Sequence, residues 1–461
     1  MARRRIVAAL ALALLTLGAA PADRPRPAEM GGTPPSFLVI LADDVGWRDV
    51  DPSVPTPTLD RLRSEGVTFT RAFVNPVCSP SRYTLLFGRY SGRSGMGDVV
   101  LPAGRRPEEE NPPAPLSLVS LPEVLRASGK GYTSAAFGKW HLSNAHQGAP
   151  VVESPRLHGF DRFLAGNLFG VQGDYYSWPR IDDGVESTET EYSTDAILDA
   201  AAAWWTATKG PKLAWIATNV AHLPVHVPPA HLLPPGYEVD EQSSPRRKFE
   251  ASIVALDTKM EGLLDSIDLT ATYVIYLSDN GTPQTTIAPD QRRHRVKASV
   301  YDGGVNVPLV VAGPLVPLGS RGKECAALVQ GTDFLATLSE LAGIDALEMF
   351  PRGYDHDSVS FAACLVDPSS PGARRSIYCE YWMPNGPGGL PRRDLDRRRL
   401  TRRVGPGTFT LLYTDGELLF HDDTFDPTHD FPLQPRSLDP ATREVFRTMK
   451  ADLREMAALE D

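Results

Sequence analysis

The feature that most limits the fold of this chain is an apolar run ended by paired acids. Phe37-Leu-Val-Ile-Leu41 is continuously apolar, and Ala42-Asp43-Asp44 follows at once. A run with no polar alternation suits a strand buried on both faces, as in a parallel sheet covered by helices. Further strands are expected at Tyr132 to Phe137, Leu213 to Thr218, Thr272 to Leu277 and Val307 to Ala312. Helical stretches separate them. Thr56 caps a helix that Pro57 opens and Gly66 stops, and Ser120-Leu-Pro-Glu123 is a capping box. Thr194 to Thr208, Pro245 to Ile267 and Asp333 to Ala342 complete the set. The expected architecture is α/β: a large mixed, mostly parallel sheet sandwiched by helices, over residues 36–345. Short strands at Ser376 to Tyr381, Thr408 to Tyr413 and Glu417 to Phe420, then a helix from Pro440 to Ala457, predict a smaller C-terminal α+β domain over 346–461.

The first residues read differently. Arg3, Arg4 and Arg5 precede an apolar run from Ile6 to Leu17, and Ala20-Pro21-Ala22 fits a cleavage site. Residues 1–22 are therefore expected to be a signal peptide, with a Pro-rich leader at 23–35, and the protein to be exported, periplasmic or extracellular. The run is too short for the ~20 residues that span a bilayer, so no stable membrane insertion is expected. Losing the three arginines would take the net charge from −10 to −13. An acidic total excludes non-specific nucleic-acid binding.

In an open α/β sheet, ligands bind beyond the carboxyl ends of the strands. Four strands end in chemistry: Asp43-Asp44, Gly138-Lys139-Trp140-His141, Asn219-Val-Ala-His222 and Ser278-Asp279-Asn280-Gly281. Any one could be a solvated loop; together they imply a common site. Adjacent acids repel unless a cation relieves them. Three carboxylates and an amide are a hard, oxygen-rich set, suited to Ca²⁺ or Mg²⁺ rather than zinc or copper. Cys78-Ser-Pro-Ser-Arg82 opens a helix with Pro80 near its start. The cysteine thus sits at the positive helix end, with Arg82 one turn on. On these grounds alone it is a nucleophilic thiol beside a metal, or simply a buried cysteine.

Cys78-Ser-Pro-Ser-Arg82, followed by Leu86-Phe87-Gly88-Arg89, resembles the signature of the type I sulfatases. Gly131 to His141, Asp43-Asp44, Asp279-Asn280-Gly281, and Lys297 with Tyr301-Asp302-Gly303-Gly304 match that family in order. The resemblance covers roughly residues 36–345 and implies an alkaline phosphatase-like sheet. It also implies oxidation of Cys78 to Cα-formylglycine by a maturation enzyme. Ca²⁺, more than Mg²⁺, would be held by Asp43, Asp44, Asp279, Asn280 and an oxygen of the residue-78 hydrate. One hydrate hydroxyl would attack sulfur; the other would later expel sulfate, a route closed to plain serine. Lys139 and Lys297 would hold sulfate oxygens, His222 would protonate the leaving oxygen, His141 would contact the hydrate, and Arg82 would orient it. Three departures from the family pattern are Phe87 for Thr, Asp302 for Glu and Ala221 for Pro.

The expected substrate is a sulfated carbohydrate or an aryl sulfate. Two other readings stay open: a phosphonate or phosphodiester hydrolase of the same superfamily, and a non-catalytic sulfated-glycan binding protein with Cys78 unmodified. Arg292, Arg293 and Arg295 form one basic cluster; Arg392, Arg393, Arg397, Arg398, Arg399, Arg402 and Arg403 form another. The second reads either as a solvated loop or as a subsite for further anionic groups of a glycan. Of Cys325, Cys364 and Cys379, a Cys364–Cys379 bridge is conceivable in an oxidising compartment.

Overall fold

The structure, a computed structural model, describes residues 33–145, 149–386 and 395–458. The signal-peptide segment, most of the leader, and Arg392 and Arg393 lie outside the described residues. The strands are β1 (Ser36–Ala42), β2 (Gly66–Phe69), β3 (Ala72–Phe73), β4 (Thr133–Lys139), β5 (Arg162–Asn167), β6 (Trp178–Asp182), β7 (Val185–Glu189) and β8 (Lys212–Ala217). They continue with β9 (Thr272–Ser278), β10 (Leu309–Ala312), β11 (Lys323–Cys325), β12 (Val329–Gln330), β13 (Ser376–Met383), β14 (Leu395–Val404), β15 (Gly407–Thr414) and β16 (Glu417–Asp422).

Ten strands form one sheet in the order β11-β2-β10-β9-β1-β8-β4-β5-β6-β7. Its centre, β9-β1-β8-β4-β5, is parallel; β10 and β6 run against it, and β7, antiparallel to β6, returns to the central direction. All seven residues of β1 are buried, as an unbroken apolar run requires. Alternate β1 side chains feed two cores. Phe37, Val39 and Leu41 join one face, and Leu38, Ile40 and Ala42 join the other. Each large apolar side chain so buried contributes roughly 1.5–3 kcal/mol.

The capping box at Ser120 is present, with Ser120 Oγ accepting from the Glu123 amide. Thr56 does not cap its helix (Pro57–Glu65). Asp257, on the long helix Pro245–Asp265, instead accepts from the Thr58 and Leu59 amides at 2.9 and 2.8 Å. A buried carboxylate from a packed neighbour displaces the local hydroxyl. Phe87, the departure from Thr, is fully buried edge-on to Tyr83 and His158.

The C-terminal sheet is antiparallel, β13-β14-β15-β16, with the helix Pro440–Ala458 on it. β14 occupies the arginine-rich stretch that reads as a loop from sequence. Ala346, Phe361, Cys364 and Leu365 pack into the same core as one face of β1. All four cysteines are free and buried. Cys364 neighbours Cys325 in the large core, whereas Cys379 packs with Phe73, Val305, Leu328 and Ile377. The conceivable Cys364–Cys379 bridge is therefore absent, because the two thiols serve separate cores.

Candidate active site

The strand ends converge. Asp43 and Asp44 leave β1, Lys139 ends β4, His222 follows β8, and Asp279 and Asn280 follow β9. Cys78 is the first residue of the helix Cys78–Phe87, which Gly88 ends in the left-handed conformation. The Cys78 thiol lies 3.6 Å from Asp43 Oδ1, 3.5 Å from Lys139 Nζ and 3.7 Å from Lys297 Nζ. Burial pushes the thiol's pKa well up, against the pull of both lysines. An unmodified Cys78 is thus a poor thiolate.

The carboxylates and cations interlock. Lys139 Nζ donates to Asp43 Oδ2 at 2.6 Å, and Lys297 Nζ donates to Asp44 Oδ1. Arg82 donates through Nε to Asp279 Oδ2 at 2.9 Å and through Nη1 to the Lys139 carbonyl at 2.7 Å. Asn280 Nδ2 donates to Asp44 Oδ1 at 2.6 Å. Burial acts to raise Asp43, but Lys139, His222, Arg82 and Lys297 hold it below the carboxylate range. Asp279 moves the other way, up to about 6, through burial and the charge of Asp43.

Two buried oxygens without hydrogen bonds, Asp44 Oδ2 and Asn280 Oδ1, fit a cation. Ligand atoms of Asp43, Asp44, Cys78 and His222 all lie within 4.8 Å of one another and could hold a metal ion. Asp279 stands outside that group, with its oxygens taken by the Asp44 amide and Arg82.

The backbone is bent to serve the site. Asp44, His141 and Ala298, which follows Lys297, have φ of 70°, 61° and 66°. Non-glycine residues in the left-handed region cluster where surrounding structure enforces a functional geometry. Gly281 lies so close to Gly303 that a Cβ would sit 1.8 Å from the Gly303 carbonyl. This close approach gives a physical reason for the glycines in Asp279-Asn280-Gly281 and Asp302-Gly303-Gly304. Sequence pattern carries no sign of the three non-glycine bends.

Above the thiol opens a cavity of about 830 Å³, bordered by His141, His222, Lys297, Arg105, Gln172 and Tyr381 among others. His141 is buried, and its Nδ1 has no hydrogen-bond partner. Burial, then Lys139, lowers its pKa well below the usual imidazole value. His222 Nδ1 lies 2.8 Å from the Leu223 carbonyl, while Nε2 faces Asp44 Oδ2 at 3.9 Å. Sequence reasoning missed Asn219, whose buried amide atoms lack hydrogen-bond partners, and Tyr175, whose hydroxyl reaches the Asn219 and His222 carbonyls. Asn219 stood visible after its strand; nothing in the sequence marked Tyr175.

The arginine cluster is not at this site as a free patch. Arg397 pairs with Asp415, Arg398 with Asp396, Arg399 with Asp302 and Arg402 with Asp452. The solvated-loop reading gives way to a strand, and four of the seven arginines read as a subsite are paired with carboxylates. In the other cluster, Arg292 and Arg295 share Asp430.

A sheet edge with these elements in this order defines a family. The family model described as Sulfatase matches residues 35–344, and the chain belongs to the sulfatase family. Mouse arylsulfatase J is 30% identical over 348 residues, 69% of this chain and 54% of that protein. Pig N-acetylgalactosamine-6-sulfatase is 29% identical, over 69% of this chain and 66% of its own length. The chain thus spans roughly half to two thirds of these relatives. The crystal structure of Ps i-CgsB in complex with k-i-k-neocarrahexaose shares the fold at a TM-score of 0.75 and 20% identity, covering 93% of this chain and 94% of that one.

Proposed function

We propose that the protein hydrolyses sulfate esters through residue 78 after its oxidation to formylglycine. The observation that carries this reading is the placement of a buried, hard-to-ionise thiol between Asp43, Lys139 and Lys297, at the foot of a cavity. A hard divalent cation, suited to the oxygen-rich donor set and Ca²⁺ rather than Mg²⁺ by the family resemblance, would supply Lewis-acid stabilisation of sulfate oxygens, and the aldehyde hydrate at 78 would supply the attacking hydroxyl. Asp43, Asp44 and Asn280 are the residues to hold the ion, with Asp279 adding a lone pair beside the hydrogen bonds it accepts and His222 left free for proton transfer. Lys139 and Lys297 keep fixed positive charge against the transferring group, where preorganised charge is most effective. His222 presents Nε2 to the leaving oxygen and donates a proton there. His141, kept neutral, contacts the hydrate. Arg82 braces Asp279 and the end of β4 and so orients the group beside it.

The substrate class is a sulfated carbohydrate, with aryl sulfates as surrogates. The pig relative is named N-acetylgalactosamine-6-sulfatase, and the structural neighbour is in complex with k-i-k-neocarrahexaose. The cavity has room for a sugar ring beyond the sulfate. Export agrees with the leader pattern and with the absence, among the described residues, of a helix long and apolar enough to cross a membrane. Oxidation of Cys78 requires a maturation enzyme acting before or during export.

The test combines mass spectrometry of the peptide holding residue 78 with parallel assays. The expected result is an aldehyde at 78, turnover of 4-nitrophenyl sulfate well above bis(4-nitrophenyl) phosphate, and loss of activity on chelation that Ca²⁺ restores. An unmodified thiol in active protein, or preferred phosphodiester turnover, would overturn the reading.

A further inference from the structure

The segment Asn219 to Val227 carries His222 beyond β8; tyrosines from elsewhere grip it at three carbonyls, and its own His226 engages a fourth. The buried Tyr175 hydroxyl lies within hydrogen-bond distance of the Asn219 carbonyl and, at 2.7 Å, of the His222 carbonyl. Its single proton is shared between them. Tyr176 donates to the Val227 carbonyl at 2.7 Å. His226 lies with Nδ1 3.2 Å from the Pro224 carbonyl and Nε2 2.8 Å from the Tyr192 hydroxyl. For Nδ1 to donate, Nε2 must accept from Tyr192, which fixes one neutral tautomer. Burial lowers the His226 pKa to about 4, in keeping with that tautomer. The His226 ring also stacks on Tyr175, with centroids 3.7 Å apart and planes at 24°.

Backbone bonds between Asp43 and Val220–Ala221 tie the start of the segment to β1, but the His222 side chain has little to hold it. Its side chain is 35% exposed, Nδ1 engages only the next carbonyl, and Nε2 sits 3.9 Å from Asp44, beyond hydrogen-bond length. The imidazole goes where its backbone goes. We propose that Tyr175 is a positioning residue for the reaction, with Tyr176 and the Tyr192–His226 pair closing a clamp that keeps His222 Nε2 aimed at the leaving oxygen. The inference rests on His222 acting as the proton donor. A misplacement of about 1 Å can reduce a rate on the order of 100-fold, and a general acid is worth roughly 10²–10⁴-fold where the leaving group needs its proton.

The deciding measurement is the leaving-group dependence of kcat on the intact, matured enzyme. 4-Nitrophenyl sulfate releases a stable anion, whereas phenyl sulfate releases an oxyanion whose conjugate acid has a pKa near ~10. For Tyr175→Phe, kcat on phenyl sulfate is expected to fall about tenfold or more, with under about threefold loss on 4-nitrophenyl sulfate and KM little changed. His222→Ala, measured alongside, should show the same discrimination more strongly. If His222→Ala loses both substrates equally, the proton-donor reading itself fails. If His222→Ala discriminates but Tyr175→Phe does not, the clamp alone is overturned. Tyr176 is 40% exposed, so Tyr176→Phe leaves the core intact. Should Tyr175→Phe fail to fold, a discriminating loss of about threefold in Tyr176→Phe supports the clamp, and equal rates overturn it.

Discussion

Two regions of this molecule are dense in charge, and they use it oppositely. At the sheet edge, Asp43, Asp44, Asp279, Arg82 and Lys139 are buried around Cys78 with the partly buried Lys297, and two oxygens still lack a partner. On β14 the arginines reach partners in alternation, as a period of two demands. Arg397 and Arg399 turn to the segment after Lys297, holding the Ala298 carbonyl at 2.6 Å and Asp302 at 2.5 Å. Arg398, on the opposite face, pairs with Asp396 and donates to the Tyr378 hydroxyl at 3.0 Å. One region keeps unmet demand for a ligand; the other spends its charge on holding the loop that carries Lys297. Between these two regions, unsatisfied ligand oxygens rather than charge density mark off the site from the brace.

The largest expected effect falls on the first region. Cys78→Ala removes the only group able to become the aldehyde, so kcat/KM on 4-nitrophenyl sulfate should fall by at least about 10⁴-fold with the melting temperature little changed. Residual activity within tenfold of the parent would show that the unmet demand at the sheet edge is not catalytic.

In the second region the effect should be on stability. Arg399 is buried, stacks over Phe73 at 4.7 Å, and pairs with Asp302. Arg399→Met leaves Asp302, about a third exposed, with only His429 at 3.9 Å, and so should destabilise by less than a fully buried broken pair, on the order of 2 kcal/mol. Denaturant unfolding should show this. A variant as stable as the parent would mean that β14 does not brace the Lys297 loop.

The same contrast explains what could be read from sequence. β1 was legible because an unbroken apolar run has few uses, and the ligand-bearing ends of β4, β8 and β9 because polar residues follow apolar ones abruptly. β14 was not legible. Leu395-Asp-Arg-Arg-Arg-Leu-Thr-Arg-Arg-Val404 lacks the apolar alternation of a strand, since its cations are satisfied by Asp302, Asp415 and Asp452 from distant sequence. β5, β6 and β7 were also missed: Val185 to Glu189 is almost wholly exposed and carries no core signal. The convergence of Asp43, Asp44, Cys78, Lys139, Lys297, Asp279 and Asn280 was legible from strand ends and motif order. Tyr175 was not, because a tyrosine gripping backbone carbonyls leaves no trace in spacing.

A smaller effect is expected at Asp426, which ties the loop after β16. It accepts from the amides of Asp430 and Phe431 at 2.9 and 2.8 Å and from His421 at 3.0 Å. Burial works to raise its pKa, but these donors bring it down from 3.8 to about 2. The folded value is depressed, so the stabilisation is present above pH 3.8 and is lost as pH falls through about 2. Linkage sets its size at about 1–2 kcal/mol. Asp426→Asn should lower stability at neutral pH by that amount and flatten the acid limb of the stability profile between pH 4 and 2. An unchanged acid limb would show that this loop, unlike the sheet edge, does not depend on its carboxylate.

Arg397 separates the two regions most finely, because it belongs to the brace yet touches the residue after Lys297. Its pair with Asp415 is partly exposed and is worth at most ~1 kcal/mol. Its other bond, from Nη1 to the Ala298 carbonyl, holds a residue whose φ is 66°. Arg397→Gln should therefore shift stability slightly and relax the backbone beside Lys297. Because Lys297 would meet the sulfate of every substrate, kcat/KM should fall a few-fold, and equally, on 4-nitrophenyl sulfate and on a sulfated polysaccharide. A subsite for a polyanionic glycan would behave otherwise, losing the polysaccharide and sparing the aryl ester. Selective loss would return β14 to substrate binding; equal loss keeps it as the support through which the C-terminal sheet acts on the site.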